Sequence, residues 1–238
     1  MRIAIIGYGK MGHMIEEVAL QRGHEIVLKI NIENTEDFTK ENCSKADVAI
    51  EFTGPSTAYE NVKKCIDFGL PVVSGSTGWN DKLDIIKNYT KEKNGSFLHT
   101  SNFSIGVNIF FEVNKLLARL VAPHAEYDVT LKEIHHTAKL DAPSGTAVTL
   151  AEQVLANLPR KINWVKDRSK NPGDLSIISE RIDLAPGTHF VKYSSEIDDL
   201  EIIHTAHNRK GFAQGAVLAA EYISDKNGIF SMQEVLGL

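Results

Sequence analysis

The chain has 238 residues, 42% of them hydrophobic and 24% charged, with a formal net charge of −5. That length buries a substantial core in one large domain or two modest ones, and the balance of residues is that of a globular protein. The negative charge excludes a broad nucleic-acid-binding face, no apolar run approaches the ~20 residues that span a bilayer, and no signal peptide is expected before a strand that opens the chain.

Arg2 to Ile6 is a short apolar run and predicts a buried strand. Gly7-Tyr8-Gly9-Lys10-Met11-Gly12 follows at once. A helix is predicted from there to about Arg22, with Met11, Ile15, Val18 and Ala19 on one face. Gly23 ends it, and Glu25 to Ile30 reads as a second strand. Strand, glycine turn, helix and strand in this order make a dinucleotide-binding unit. Gly7 permits the tight turn, Gly9 lets the backbone approach a pyrophosphate, and Gly12 lets the helix pack close to the strand. A glycine turn that merely packs a βαβ unit would use the same residues. The context, directly after the first strand, favours the dinucleotide.

The alternation continues with strands at Asp47–Thr53, Pro71–Ser74 and Ser96–Thr100, and helices at Thr57–Phe68 and Asp81 to about Lys93. It implies an open parallel sheet with helices on both faces. Ligands bind such sheets at the carboxyl ends of the strands. Thr53, Gly54, Gly75, Ser76, Thr77, Asn102 and Phe103 fall there. Ordinary turn chemistry would use the same residue types.

The pattern then changes. Ile105 to Val121 is a long apolar-rich helix, expected to cross between domains. Glu126–Ile134 alternates as a strand and runs into His135. A helix from Gly145 to about Asn157 is followed by strands at Ile162–Lys166, Ser176–Ile182, His189–Ser194 and Leu200–Ala206. With few helices between them, these imply an α+β domain with a mixed or antiparallel sheet. Phe212 to Asp225 is amphipathic and is expected to return to the first domain. The expected boundaries are 1–103 with 213–238 for the dinucleotide-binding domain and 104–212 for the substrate-binding and oligomerisation domain. A hinge is expected near Phe103-Ser104 and Gly211-Phe212. Cys43 and Cys65 form no CxxC pair and outline no disulfide framework, which fits a cytoplasmic location.

The chemistry concentrates in His135-His136-Thr137-Ala138-Lys139-Leu140-Asp141-Ala142-Pro143-Ser144-Gly145-Thr146-Ala147. His135, His136 and Lys139 can donate protons or bind anions. Gly145 and Thr146 open a helix, where free N–H groups attract negative charge. Proton donors beside an anion cradle suit work on a carboxylate substrate. Two adjacent histidines on a strand face opposite sides, so a bend after His135 is expected to bring Lys139 to it. The histidines match no zinc motif, and no metal is expected. His204 and His207 read as core or surface residues. Arg209-Lys210 reads equally as solvated charge or as an approach to an anionic substrate.

The GxGxMG opening, Gly75-Ser76-Thr77-Gly78-Trp79, Ser101-Asn102-Phe103-Ser104-Ile105-Gly106-Val107-Asn108 and the 135–147 stretch closely resemble the 4-hydroxy-tetrahydrodipicolinate reductases, the dihydrodipicolinate reductase family. The likeness extends to the Ile229–Leu236 ending. It implies a discontinuous Rossmann domain, a mixed-sheet domain and a homotetramer built through that sheet. The implied reaction is NAD(P)H-dependent reduction of 4-hydroxy-tetrahydrodipicolinate, through its dehydrated imine, to tetrahydrodipicolinate in diaminopimelate and lysine biosynthesis. His135 resembles the family's proton donor and Lys139 its second donor. His136, Gly145 and Thr146 resemble ligands of the dicarboxylate substrate, and Ser144 is expected with them as part of the same helix-opening cradle. Gly7, Tyr8, Gly9, Lys10, Met11, Gly12, Gly75, Ser76, Thr77, Thr100, Ser101, Asn102 and Phe103 resemble cofactor contacts, and Thr53 and Asn31 are expected beside them from their places after the third and second strands. The family usually carries an acid, often followed by Arg, after the second strand. Asn31 and Ile32 stand there, with Glu33 just beyond. Use of both NADPH and NADH is therefore expected, with a weak lean to NADPH, helped by Lys10 and Lys29. Two alternatives are a Rossmann oxidoreductase of sugars or amino acids and a dinucleotide sensor without turnover. Neither accounts for His135, Lys139 and the Ser144–Thr146 cradle together.

Overall fold

In the computed structural model, which describes residues 1–238, β1 (Arg2–Ile6) leads into α1 (Lys10–Gln21) and β2 (Glu25–Ile30). A single turn α2 (Lys40–Cys43) precedes β3 (Val48–Glu51), α3 (Ala58–Asp67), β4 (Val72–Ser74), α4 (Leu83–Glu92) and β5 (Ser96–His99). Then come α5 (Ile105–Val121), β6 (Asp128–His135), α6 (Gly145–Asn157), β7 (Asn163–Lys166), β8 (Asp174–Arg181), β9 (Thr188–Ser194) and β10 (Asp199–Thr205). The chain closes with α7 (Lys210–Ile223), β11 (Gly228–Phe230) and α8 (Met232–Leu236). It divides into two units, Met1–Ile105 with Lys210–Leu238, and Gly106–Arg209.

In the first unit six parallel strands take the order β11-β5-β4-β3-β1-β2. Side chains alternate across each strand, so each strand feeds two cores. Ile3, Ile5, Val48, Ile50 and Leu98 pack with α1 and with Ala213, Ala216, Val217 and Ala220 of α7. Ala4, Ile6, Ala49, Val72 and Phe97 pack with α3 and α4 on the other side. The alternation lapses once, between β2 and β3. Asn34 there accepts from the Asn31 N–H (2.8 Å) and donates to the Lys29 carbonyl (2.9 Å). Such local side-chain bonds compete with a helix, leaving a 3₁₀ turn at Thr35–Asp37 and the short α2.

The second unit carries a mixed five-stranded sheet in the order β10-β9-β6-β8-β7. β6 runs parallel to β8 and antiparallel to β9. Two rows of its inner face, Val129 with Tyr193 and Leu131 with Val191 and Ile177, pack under Ala147, Leu150, Ala151 and Val154 of α6. The next row along the same face is polar: His189, Glu133 and Ser179. His135, opposite Arg181, follows. Thus the sheet delivers charged groups to the spot where α6 begins.

Candidate active site

β6 extends to His135, one residue beyond the expected end, so His135 is on the strand and faces inward with Glu133. Its ring is buried, and its Nδ1 lies 3.5 Å from Glu133 Oε2. The His135 and His189 rings meet edge to face at 5.0 Å between centroids. Burial pushes the His135 imidazole below its usual range; the Glu133 charge opposes this, and Lys139 and Arg181 add to it. Burial pushes His189 down further, to about 3. Burial would raise the Glu133 carboxyl, but hydrogen bonds from Ser144 and Ser179 and the charge of His135 outweigh it and hold it below its usual range.

Beyond His135 the chain bends as expected. The His136 carbonyl accepts the Lys139 N–H (3.1 Å). Lys139 Nζ turns to Asp141, at 2.8 and 2.9 Å from its two oxygens. Arg181 holds this loop in place by donating to the carbonyls of Lys139 (3.2 Å) and Asp141 (2.5 Å). Ser144 caps α6, its Oγ accepting the Ala147 N–H at 3.2 Å. Gly145 stands in the open, with no atom within 4 Å of where a Cβ would lie. Thr146 follows in the same first turn, half-buried. The first turn of α6 thus carries no side chain at Gly145 that would block an anion.

Sequence reasoning missed Glu133, Ser179, Arg181 and His189. A signal for Glu133 existed: it falls on the Val129–Leu131 face of an alternating strand. Glu133, His135 and His189 each offer one ligand atom within 4.8 Å of the others. A metal does not suit them. Ser179, Arg181 and the Ser144 N–H already occupy both oxygens of the carboxylate, and a guanidinium repels a cation. His204 packs its ring beside Phe110 at 5.9 Å, while His207 and Arg209 are exposed.

The first unit carries the glycine turn. Gly7 has φ +100°, and a Cβ there would lie 2.1 Å from the Phe52 carbonyl oxygen. Gly9 has nothing within 4 Å, which leaves room for a pyrophosphate, and at Gly12 a Cβ would sit 2.7 Å from the Gly7 carbonyl oxygen. Beside the turn opens a cavity of about 770 Å³ lined in part by Gly7, Tyr8, Asn31, Phe38, Thr53 and Lys64. A second, of about 360 Å³, is lined by Lys10, Met11, Gly75, Ser76 and Thr77 among others. An open turn and a roomy pocket at the carboxyl ends of the strands fit a dinucleotide.

Bonded to lining residues of these cavities is Glu51, fully buried. It accepts the Thr53 N–H (2.9 Å), the Thr53 hydroxyl, Ser74 Oγ (2.5 Å) and Ser76 Oγ (2.7 Å). Gly75 has a packing role as well, since a Cβ there would lie 2.1 Å from the Phe52 ring. Asn102 takes the Ser104 N–H on its Oδ1 (2.9 Å), and its own N–H donates to Thr100 Oγ1 (3.2 Å). Ser101 is exposed, and Phe103 is buried with its ring 5.7 Å from that of Phe52.

Of the two lysines expected to help NADPH, one is already paired. Lys29 pairs with Glu16 at 2.5 Å and approaches Tyr8 OH at 3.4 Å, so its charge is already matched. Lys10 lines the Gly75–Thr77 cavity rather than the one that holds Asn31. Asn31 takes the Glu33 N–H on its Oδ1 at 2.7 Å.

The family model described as "Dihydrodipicolinate reductase, N-terminus" matches residues 1–103, and the one described as "Dihydrodipicolinate reductase, C-terminus" matches residues 106–236. A 4-hydroxy-tetrahydrodipicolinate reductase of Christiangramia forsetii is 46% identical over 99% of this chain and 98% of its own. One of Neisseria meningitidis is 32% identical over 94% of this chain and 84% of its own. The fold matches a dipicolinate-bound dihydrodipicolinate reductase from Paenisporosarcina with a TM-score of 0.77 at 23% identity, covering 98% of both chains. It matches an aspartate semialdehyde dehydrogenase of Vibrio cholerae less well, at 0.54 and 12% identity. A glycine turn over an open parallel sheet, a histidine beside an uncovered helix start, and likeness along nearly the whole chain agree: this chain belongs to the dihydrodipicolinate reductase family.

Proposed function

We propose that the chain catalyses NAD(P)H-dependent reduction of the cyclic imine derived from 4-hydroxy-tetrahydrodipicolinate, giving tetrahydrodipicolinate for diaminopimelate and lysine synthesis. The observation that carries this reading is His135 on the same sheet face as the Glu133 that binds the Ser144 cap of α6, in a chain whose relatives bear that activity in their names. In this reading the first unit binds the dinucleotide, and the second binds substrate and makes the oligomer.

When bound, NAD(P)H supplies the hydride. The chain's own residues do the rest. The N–H groups of Gly145 and Thr146 take one substrate carboxylate, with His136 alongside, and the buried Ser144 cap holds that turn in place rather than touching the substrate. Lys139 and His135 place positive charge near the acceptor and deliver the proton that completes reduction. Gly7 to Gly12 would hold the pyrophosphate, and Thr53, Gly75–Thr77 and Thr100–Phe103 would hold the nicotinamide ribose.

Both cofactors serve, with a weak lean to NADPH. Asn31 replaces the acid that would repel a 2′-phosphate. Its Oδ1 is taken by the Glu33 N–H, so its amide N–H groups are the donors it offers. Lys64 lines the same cavity.

The assembly is a homotetramer joined through the outer face of the second sheet. Ile178, Lys132, Phe190 and Ile203 form one cross-strand row there, and Ile203 is 52% exposed. The protein works in the cytoplasm. No helix is long and apolar enough to cross a membrane, and both cysteines are free.

The test follows NADPH absorbance with and without the dicarboxylate substrate. Substrate-dependent oxidation supports the reading. Fluorescence quenching by cofactor without turnover would instead make the chain a dinucleotide sensor.

A further inference from the structure

We propose that Glu133 is a positioning residue that ties His135 to the first turn of α6, so that one buried carboxylate sets both the proton donor and the carboxylate cradle. This rests on the reading of those two groups given above.

Glu133 is the fully buried acid of the second unit. It follows Val129 and Leu131, which are apolar core, along the same face of β6 and precedes His135. A carboxylate in that place is unfavourable unless its oxygens are satisfied. They are. The Ser144 N–H donates to both oxygens at 3.0 and 3.1 Å, Ser179 Oγ donates at 2.8 Å, and Arg181 Nη2 donates at 3.3 Å. The Ser144 bond joins the sheet to the cap of α6. Fixing that N–H fixes the residue whose Oγ caps Ala147 and whose successors are Gly145 and Thr146. Ser144 Oγ also meets His189 Nε2 at 3.2 Å, so the cap is held from two strands.

Toward His135 the contact is of another kind. The 3.5 Å separation from Nδ1 makes no hydrogen bond, and that buried nitrogen has no other partner. At this distance in a buried site the negative charge still favours the imidazolium. The groups around the ring are Glu133 on its own strand, Lys139 and Asp141 on the loop, Arg181 on β8 and His189 on β9. Glu133 and Asp141 support its charge, while burial, Lys139 and Arg181 oppose it. Removing the Glu133 charge therefore moves the His135 titration to lower pH. A donor must be protonated, so the rate falls as pH rises through that titration. Without Glu133 the fall comes earlier.

The experiment uses the full chain with Glu133→Gln, Glu133→Asp and Glu133→Ala. Three quantities are read: kcat and KM against pH, the NMR titration of the His135 ring (assigned with His135→Gln), and the melting temperature. Glu133→Gln keeps the shape and one acceptor for Ser144. It should shift the falling limb and the ring titration down together, by about half a pH unit or more, with the substrate KM within about threefold. Glu133→Asp should restore part of the limb. Glu133→Ala should raise the substrate KM about tenfold or more while leaving the NADPH KM unchanged. A ring titration unmoved in a folded Glu133→Gln enzyme overturns the proposal. So does a Glu133→Ala enzyme whose two KM values rise equally. A wild-type limb that does not track the His135 titration points elsewhere, to failure of the proton-donor reading itself.

Discussion

Lys139 Nζ holds both oxygens of Asp141, at 2.8 and 2.9 Å, across a loop that Arg181 fixes through the carbonyls of the same two residues. The Asp141 side chain is 57% exposed, and a pair so open contributes little to stability. Its consequence is direction. Burial would raise the Asp141 carboxyl, but the Lys139 bond and charge win and keep it below its usual range. The carboxylate therefore holds the ammonium in one place at neutral pH. Lys139→Ala should lower kcat about 10²–10⁴-fold, and Asp141→Asn about tenfold or less. Thr146→Val should chiefly raise the substrate KM. A Lys139→Ala enzyme with unchanged kcat would show that the pair is only structural.

His189 predicts how the second unit responds to acid. Its folded value, about 3, lies below the usual 6.5 because burial disfavours its charge. The unfolded chain thus binds a proton that the folded one refuses. Stability from this residue is fully present above about pH 6.5 and is lost as pH falls toward 3. At about 1.4 kcal/mol per pH unit, the loss between pH 6.5 and 4.5 is on the order of 2–3 kcal/mol. Thermal melts across that window should show a shallower decline for His189→Gln than for the parent. Parallel declines would assign the acid sensitivity to other groups.

Glu51 should matter to the cofactor and not to the substrate. It gathers Thr53, Ser74 and Ser76 from two strand ends, and Thr53 and Ser76 line the second cavity. Glu51→Gln leaves at least one buried donor without its acceptor, a loss of about 1–3 kcal/mol. For a chain of this size that is a fall of several degrees in melting temperature. The loops carrying Thr53 and Ser76 loosen together, so the NADPH KM should rise several-fold while the substrate KM stays put. Equal changes in both would mean that Glu51 serves the fold alone.

Cofactor choice is decided by comparing kcat/KM for NADPH and NADH at low and high salt. We expect a preference for NADPH of about tenfold or less, worth roughly 1.4 kcal/mol or below. Salt should weaken NADPH more, because an exposed phosphate–lysine attraction is screened. Lys64→Ala and Lys10→Ala separate the two lysines, which line different cavities. A preference for NADH beyond tenfold that neither variant changes would assign the ribose to Glu33.

The outer row of the second sheet gives a test of assembly. Ile203→Glu puts a charge into a face that carries Ile178 and Phe190 in register with it. If the parent forms the proposed tetramer, light scattering on the variant should report a smaller species. A parent that is monomeric, or a variant of unchanged mass, would remove that face from the assembly.

Local patterns in the sequence determined much of this protein. The 7–12 turn, β1, β2, α5 and α6 follow from apolar runs, glycine spacing and a serine cap, all set by neighbours a few residues apart. The 135–147 stretch was legible for the same reason. β11 and α8, at three and five residues, are too short to carry a period. Tertiary structure alone decided the polar row. Glu133, Ser179, Arg181 and His189 are separated by up to 56 residues, and only the register of β6 with β8 and β9 sets them side by side. It also decided what the lysines do. Lys29 is neutralised by Glu16 because β2 and α1 lie together, and Lys10 faces a cavity built by strands far along the chain. A charge is visible in a sequence; its partner depends on which strands pair, and that is settled by how the apolar faces pack.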